Sequence, residues 1–306
     1  MSRVTATFVF PIIRDDFIVP ALQTLRVTKP VGIEFRTVVI DQNRRGVYDK
    51  ISDYVDLYLR PQRNMGFAKA MNEGIIHGLH WGSEYVVAAN DDVEFLDSRW
   101  WQGILDQFKE YPEMMAVNPA SVIEPGWGYG IDQPNFKCPD WGIANMDNKN
   151  IYPKKKDGTA FNYDDAKTKE GYDWLLNNYK KGHIEGFAGW MVVGKREMWE
   201  NVGLYDERFV PGGGEDYDLC HRIYLAGGRA SATMRSWVWH HWGQSKAVAH
   251  DPIRLPINRP TFQSVDSLYV HSPEGATSPI YPPRENEPHN NKRKRKNPGI
   301  FVDDIR

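Results

Sequence analysis

Tyr85-Val86-Val87-Ala88-Ala89 runs directly into Asn90-Asp91-Asp92-Val93-Glu94. A short apolar run that turns acidic at its end reads as a strand leaving a sheet core, and open α/β sheets bind ligands just beyond the carboxyl ends of their strands. Working outward, similar runs stand at Thr5–Phe10, Arg36–Ile40, Asp56–Leu59 and Met115–Asn118, each followed at once by Pro or a polar residue. Between them, Phe17–Val27, Phe67–Leu79 and Arg99–Phe108 carry apolar residues three or four apart, the helical period. The alternation predicts an α/β fold, a Rossmann-like mixed sheet flanked by helices. Pro11–Arg14, Asp41–Arg44 and Asn90–Glu94 would then share one rim.

The chain has 306 residues, enough for one large domain or two small ones. Its 38 Lys and Arg stand against 40 Asp and Glu, so no global field favours a polyanion, and a histone-like binder is disfavoured. Two cysteines are too few for a disulfide framework, and no run approaches the ~20 apolar residues that span a bilayer. These features fit a soluble, cytoplasmic protein without a transmembrane segment. Residues 1–250 are expected to form the main domain. Within it, Ser121–Gly182 is rich in Gly, Pro, Asn, Lys and aromatics, and reads as an inserted surface region with a helix at Tyr172–Tyr179. Order returns with a strand at Phe187–Val193 and helices at Arg196–Val202 and Asp216–Ala226. Residues 251–306 are Pro-rich, carry the basic run Lys292–Lys296 and read as an extended tail.

Four segments can carry chemistry. Asp91 and Asp92 would repel each other at a strand end unless a cation neutralised them, and oxygen ligands suit Mg2+ or Mn2+; an acidic turn before a helix explains the same pair. Pro211-Gly212-Gly213-Gly214-Glu215-Asp216 combines glycines, which let backbone approach a ligand, with acids at a helix start, where a carboxylate can serve as general base or simply offset the helix dipole. Trp237-Val238-Trp239-His240-His241-Trp242 alternates like a strand, so His240 and His241 should face opposite sides, one of them toward a metal or both into packing. Arg63-Asn64-Met65-Gly66, before the helix that includes Asn72, would offer backbone N–H groups to an anion, although an ordinary helix start fits as well.

Taken in order, these segments, together with Val38-Val39-Ile40-Asp41, Gly203-Leu204-Tyr205-Asp206-Glu207, and His240 followed by Ser245, resemble the family-two, rhamnosyltransferase-like glycosyltransferases of the GT-A fold. The resemblance covers roughly residues 4–118 and 184–246. It implies an inverting sugar transfer from a nucleoside diphosphate sugar donor to an acceptor hydroxyl, assisted by Mn2+ or Mg2+. It assigns Asp41 to the nucleoside and Asp92 to the metal with help from Asp91. His240 becomes a further metal or diphosphate contact, and Asp216 the base. Pro11, Arg63, Gly66, Asn72 and Asn90 fall on the donor side; Gly189, Trp190, Gly213, Gly214 and Glu215 fall in acceptor or loop positions. Asn at position 90 means that the acidic motif is not a strict Asp-X-Asp triplet, and His241 beside His240 leaves the ligand ambiguous by one position.

The acceptor is left open among a glycan, a lipid-linked glycan and a nucleic acid. Lys154–Lys156 and Lys292–Lys296 are local basic runs that could touch phosphates. Two other functions fit less well. A sugar nucleotidyltransferase would carry a Gly-rich phosphate loop after its first strand, where Pro11-Ile12-Ile13-Arg14 stands instead. A non-catalytic glycan- or nucleic-acid-binding module would have no use for Asp92 and Asp216 together.

Overall fold

The computed structural model describes residues 4–43, 45–122, 153–179, 183–209, 212 and 214–241. Gly213, most of the inserted region Ser121–Gly182 and the basic tail lie outside them. The described strands are β1 (Val4–Ile12), β2 (Ile33–Asp41), β3 (Leu57–Leu59), β4 (Tyr85–Ala89), β5 (Val93–Phe95), β6 (Met114–Ser121), β7 (His183–Glu185), β8 (Met191–Lys195) and β9 (Arg229–His240). They form one mixed sheet in the order β3-β2-β1-β4-β8-β6-β9-β5, with β7 also paired to β9. β1, β2, β3 and β4 are mutually parallel, whereas β8 runs antiparallel to β4 and β6.

The helices are α1 (Ile18–Val27), α2 (Tyr48–Ile51), α3 (Phe67–His80), α4 (Trp100–Glu110), α5 (Tyr163–Ala166), α6 (Lys169–Tyr179), α7 (Arg196–Asn201) and α8 (Glu215–Leu225). Strand side chains alternate between faces, which divides the core in two. Phe8, Phe10 and Val87 pack against α1, α4, α5 and α6 through Leu22, Trp100, Trp101, Ala166, Tyr172 and Leu175. Val9, Val38, Val86 and Ala88 pack on the other face against α3, α7 and α8 through Met71, Ile75, Trp199, Leu219 and Ile223. Parallel strands covered on both faces must be apolar throughout, which is why they read as unbroken runs. Trp100, Trp101, Trp199 and Trp237 are core side chains. Among the described residues no helix is long and apolar enough to cross a membrane.

Three expectations need correction. Asp91 and Asp92 do form a turn, but it leads into a strand rather than a helix: Val93–Phe95 forms β5 and pairs antiparallel with Val238–His240. The strand expected at Phe187–Val193 begins only at Met191, because the chain from Gly186 to Trp190 leaves the ladder to meet the rim. The insertion is not wholly a surface feature, since Ala166, Tyr172 and Leu175 are completely buried in the main core and α6 starts at Lys169.

β9 brings His240 and His241 to the rim by breaking its own register. It advances from Thr233 to Trp237 while β6 advances from Pro119 to Ala120. Such a bulge bends a strand and re-aims the residues beyond it. The extra residues rest on α4 at Gly103, where a methyl group would come within 2.1 Å of the Arg235 carbonyl oxygen.

Candidate active site

Past the bulge, β9 aligns His240 with Val93, and the His241 N–H donates to the Asp92 carbonyl at 2.9 Å. The two histidines then take different partners, as strand alternation requires. His240 Nε2 lies 3.2 Å from Asp92 Oδ1, whereas His241 Nε2 lies 2.6 Å from Glu94 Oε1. The imidazole beside Asp92 is therefore that of His240.

The segment Ala188-Gly189-Trp190 connects this corner to α8. The Trp190 indole stacks on the His240 imidazole, with ring centroids 5.0 Å apart and planes 17° from parallel. The Trp190 carbonyl accepts the Asn90 N–H at 2.8 Å, and the Ala188 carbonyl accepts the Asn118 side-chain amide at 2.8 Å. The Gly189 N–H donates to Asp216 Oδ2 at 2.8 Å. Asn90, Asp92, Trp190, His240 and Asp216 are thus brought to one rim by three consecutive residues. α8 begins there because Gly214, at φ 92°, adopts the left-handed conformation that other residues resist, and Glu215 and Asp216 follow in the first turn.

Electrostatics distinguishes the two adjacent carboxylates. Burial, and then the neighbouring charge of Asp92, push the Asp91 carboxyl well above the usual carboxylate range. Asp92 is buried, yet its Oδ1 has no aligned hydrogen bond, and His240 Nδ1 and Trp190 Nε1 are likewise unpartnered. Buried polar atoms are almost always satisfied, so three such orphans close together at a sheet rim suit a polar ligand. Among the described residues no three His, Cys, Asp or Glu side chains gather into a complete cage. A carboxylate and an imidazole are nevertheless an apt pair for a cation whose remaining ligands come from phosphate and water. Asp92 and His240 therefore fit a divalent ion held jointly with a phosphorylated ligand.

Other predicted residues sit differently. Pro11 pairs with Ile40 near the end of β1, on the expected rim. Asp41, expected at a nucleoside, is wholly buried: its oxygens accept the Asn43 N–H at 2.7 Å, the Val47 N–H at 2.9 Å and the Tyr58 hydroxyl. Burial and the bond to Asp41 push the Tyr58 hydroxyl up to about 12, so it remains the donor. Asn72, expected on the donor side, is instead buried with its amide bonded to both the N–H and the carbonyl of Tyr205. Arg63 is exposed before α3, and Gly66 starts that helix at φ 83° with its N–H bonded to Asn64 Oδ1 at 2.8 Å. Glu215 is buried close to Tyr205, whose hydroxyl is pushed well above its ordinary value by burial and then by Glu215 and Asp216. Asn118, inside β6, holds the Ala188 carbonyl and is a residue that the motifs do not single out. Its position as the last residue of a predicted apolar strand is the available signal.

This sheet order and rim define a GT-A-type α/β fold. One similar solved structure is described as GalNAc-T7 with UDP, GalNAc and Mn2+, at 15% identity and a TM-score of 0.52 over 78% of this chain and 44% of that one. Others are the mannosyltransferase PcManGT of Pyrobaculum calidifontis in complex with GDP-Man and Mn2+, and S. aureus TarS, each at 15% identity with TM-scores of 0.48 and 0.46. The chain spans 56% and 60% of those two proteins. No family model and no curated protein matches the sequence.

Proposed function

We propose that the chain is an inverting, metal-dependent glycosyltransferase that moves a sugar from a nucleoside diphosphate sugar to an acceptor hydroxyl. The observation that carries this reading is that one segment, Gly189-Trp190, bonds to Asp216 at one residue and stacks at the next on His240, the partner of Asp92. The GT-A-type fold supports it, as does the UDP, GalNAc and Mn2+ named for GalNAc-T7, a similar structure.

Asp92 and His240 are the residues that would hold the metal, with Asp91 beside them. When bound, Mn2+ or Mg2+ supplies charge neutralisation on the departing diphosphate. Pro11, Asn90 and the loop organised by Asp41 frame the donor side, with Asp41 acting through that loop because its oxygens are already engaged. Arg63 and Gly66 stand at the start of α3, where backbone N–H groups and a cation favour phosphate. Asp216 takes the proton of the acceptor hydroxyl. The acceptor oxygen forms its bond to the anomeric carbon as the bond to the diphosphate breaks on the opposite face, so the configuration inverts.

The test is Asp216→Asn, assayed by mass spectrometry of products from a panel of nucleoside diphosphate sugars and hydroxyl acceptors. The amide keeps the shape and loses the base, so donor binding should persist while transfer falls by about 10²- to 10⁴-fold. Turnover at the wild-type rate would overturn the assignment.

A further inference from the structure

We propose that Gly189 is a positioning residue for Asp216: its main-chain N–H sets the plane of the carboxylate, and its lack of a side chain leaves the space that Asp216 fills. The inference rests on the reading of Asp216 as the base. The last torsion of an aspartate side chain is broad and roughly twofold, so its rotamer wells alone do not orient the carboxylate. The Gly189 N–H, 2.8 Å from Oδ2, fixes that oxygen from the Ala188–Trp190 side. A general base must be aimed as well as ionised, because reacting groups displaced by an ångström lose about 10²-fold in rate.

Space makes glycine necessary here. A methyl group on residue 189 would come within 2.9 Å of Asp216 Cβ and 3.1 Å of Oδ2. Asp216 Cβ is one bond from the backbone of α8 and cannot swing aside as a side-chain tip would. The other partner is equally confined. Asn118 holds the Ala188 carbonyl and Asn90 holds the Trp190 carbonyl, so residue 189 is pinned on both sides. A larger residue therefore displaces the Asp216 carboxylate or pulls the N–H away from it. The metal corner, approached through Trp190 and His240, is not crowded by that change.

The experiment compares wild type, Gly189→Ala, Asp216→Gly and the double variant, measuring kcat, donor KM and thermal unfolding. In Gly189→Ala, kcat should fall about 100-fold while donor KM stays within about twofold. The loss of melting temperature caused by Gly189→Ala should disappear in the Asp216→Gly background, where the crowded Cβ is gone. Wild-type kcat in Gly189→Ala, or a melting cost that persists without the Asp216 side chain, overturns the proposal. Should Gly189→Ala fail to fold, the double variant decides: recovery to the stability of Asp216→Gly supports it, and failure to recover overturns it. Asp216→Asn separates the two levels, because an active Asp216→Asn removes the base itself, whereas an inactive one beside an active Gly189→Ala removes only the role of Gly189.

Discussion

Asp91 and Asp92 are chemically identical neighbours that the fold treats differently. One is pushed toward its neutral form by burial and by its neighbour, while the other keeps a buried oxygen unpartnered beside His240. Asp92→Ala should therefore weaken donor binding in the presence of Mn2+ by about 10-fold or more, the scale on which even indirect partners of a metal matter. Titration calorimetry with Mn2+ and with a chelator checks this, and undiminished affinity would remove Asp92 from the metal. The acidic pair is legible in the sequence because an apolar run points to it. The environments of Asp41 and Asn72 are not: both look like exposed polar residues near a rim, yet each spends its hydrogen bonds inside the protein. Linear order does not tell which polar side chain clamps a loop and which keeps an oxygen unpartnered.

Elements are most legible where a single face or a continuous run dictates them. The apolar run Tyr85–Ala89 coincides with β4, and the periodic segments that predict α3 and α4 agree with those helices within two residues at each end. β5 escapes such a reading because three residues next to a row of acids give no period, and they form a strand only because β9 returns to pair with them. Phe187, Ala188 and Trp190 mislead in the other direction, being apolar for packing while their backbone leaves the ladder. The β9 bulge is likewise invisible, although Gly103 inside a helix is its one trace. Gly103→Ala places a methyl group against backbone that cannot rotate away, and should cost about 1–3 kcal/mol of stability. Denaturant unfolding measures the loss; an unchanged midpoint would mean that the bulge shifts freely on α4.

At the scale of the whole molecule, Glu94 joins parts that are far apart in the chain. It accepts the Tyr163 hydroxyl of α5 at 2.5 Å and meets His241, just beyond β9, at 2.6 Å. Burial works to raise its pKa, but the bonds from His241 and Tyr163 outweigh it, and the carboxyl is held below its ordinary value. A depressed carboxylate stabilises the fold above its unfolded pKa of about 4.3 and loses that contribution as pH falls through the folded value. Glu94→Gln should accordingly be less stable near neutrality and show a shallower decline below about pH 4.3, read from melting temperature against pH. An acid limb as steep as that of wild type would contradict this. The sheet itself has a practical consequence. Because it walls off the layer of α1 and α4 from the layer of α3, α7 and α8, substitutions more than about 7–10 Å apart across it should combine almost additively. Efforts to raise heat tolerance can concentrate on the first layer and leave undisturbed the one in which α8 is seated.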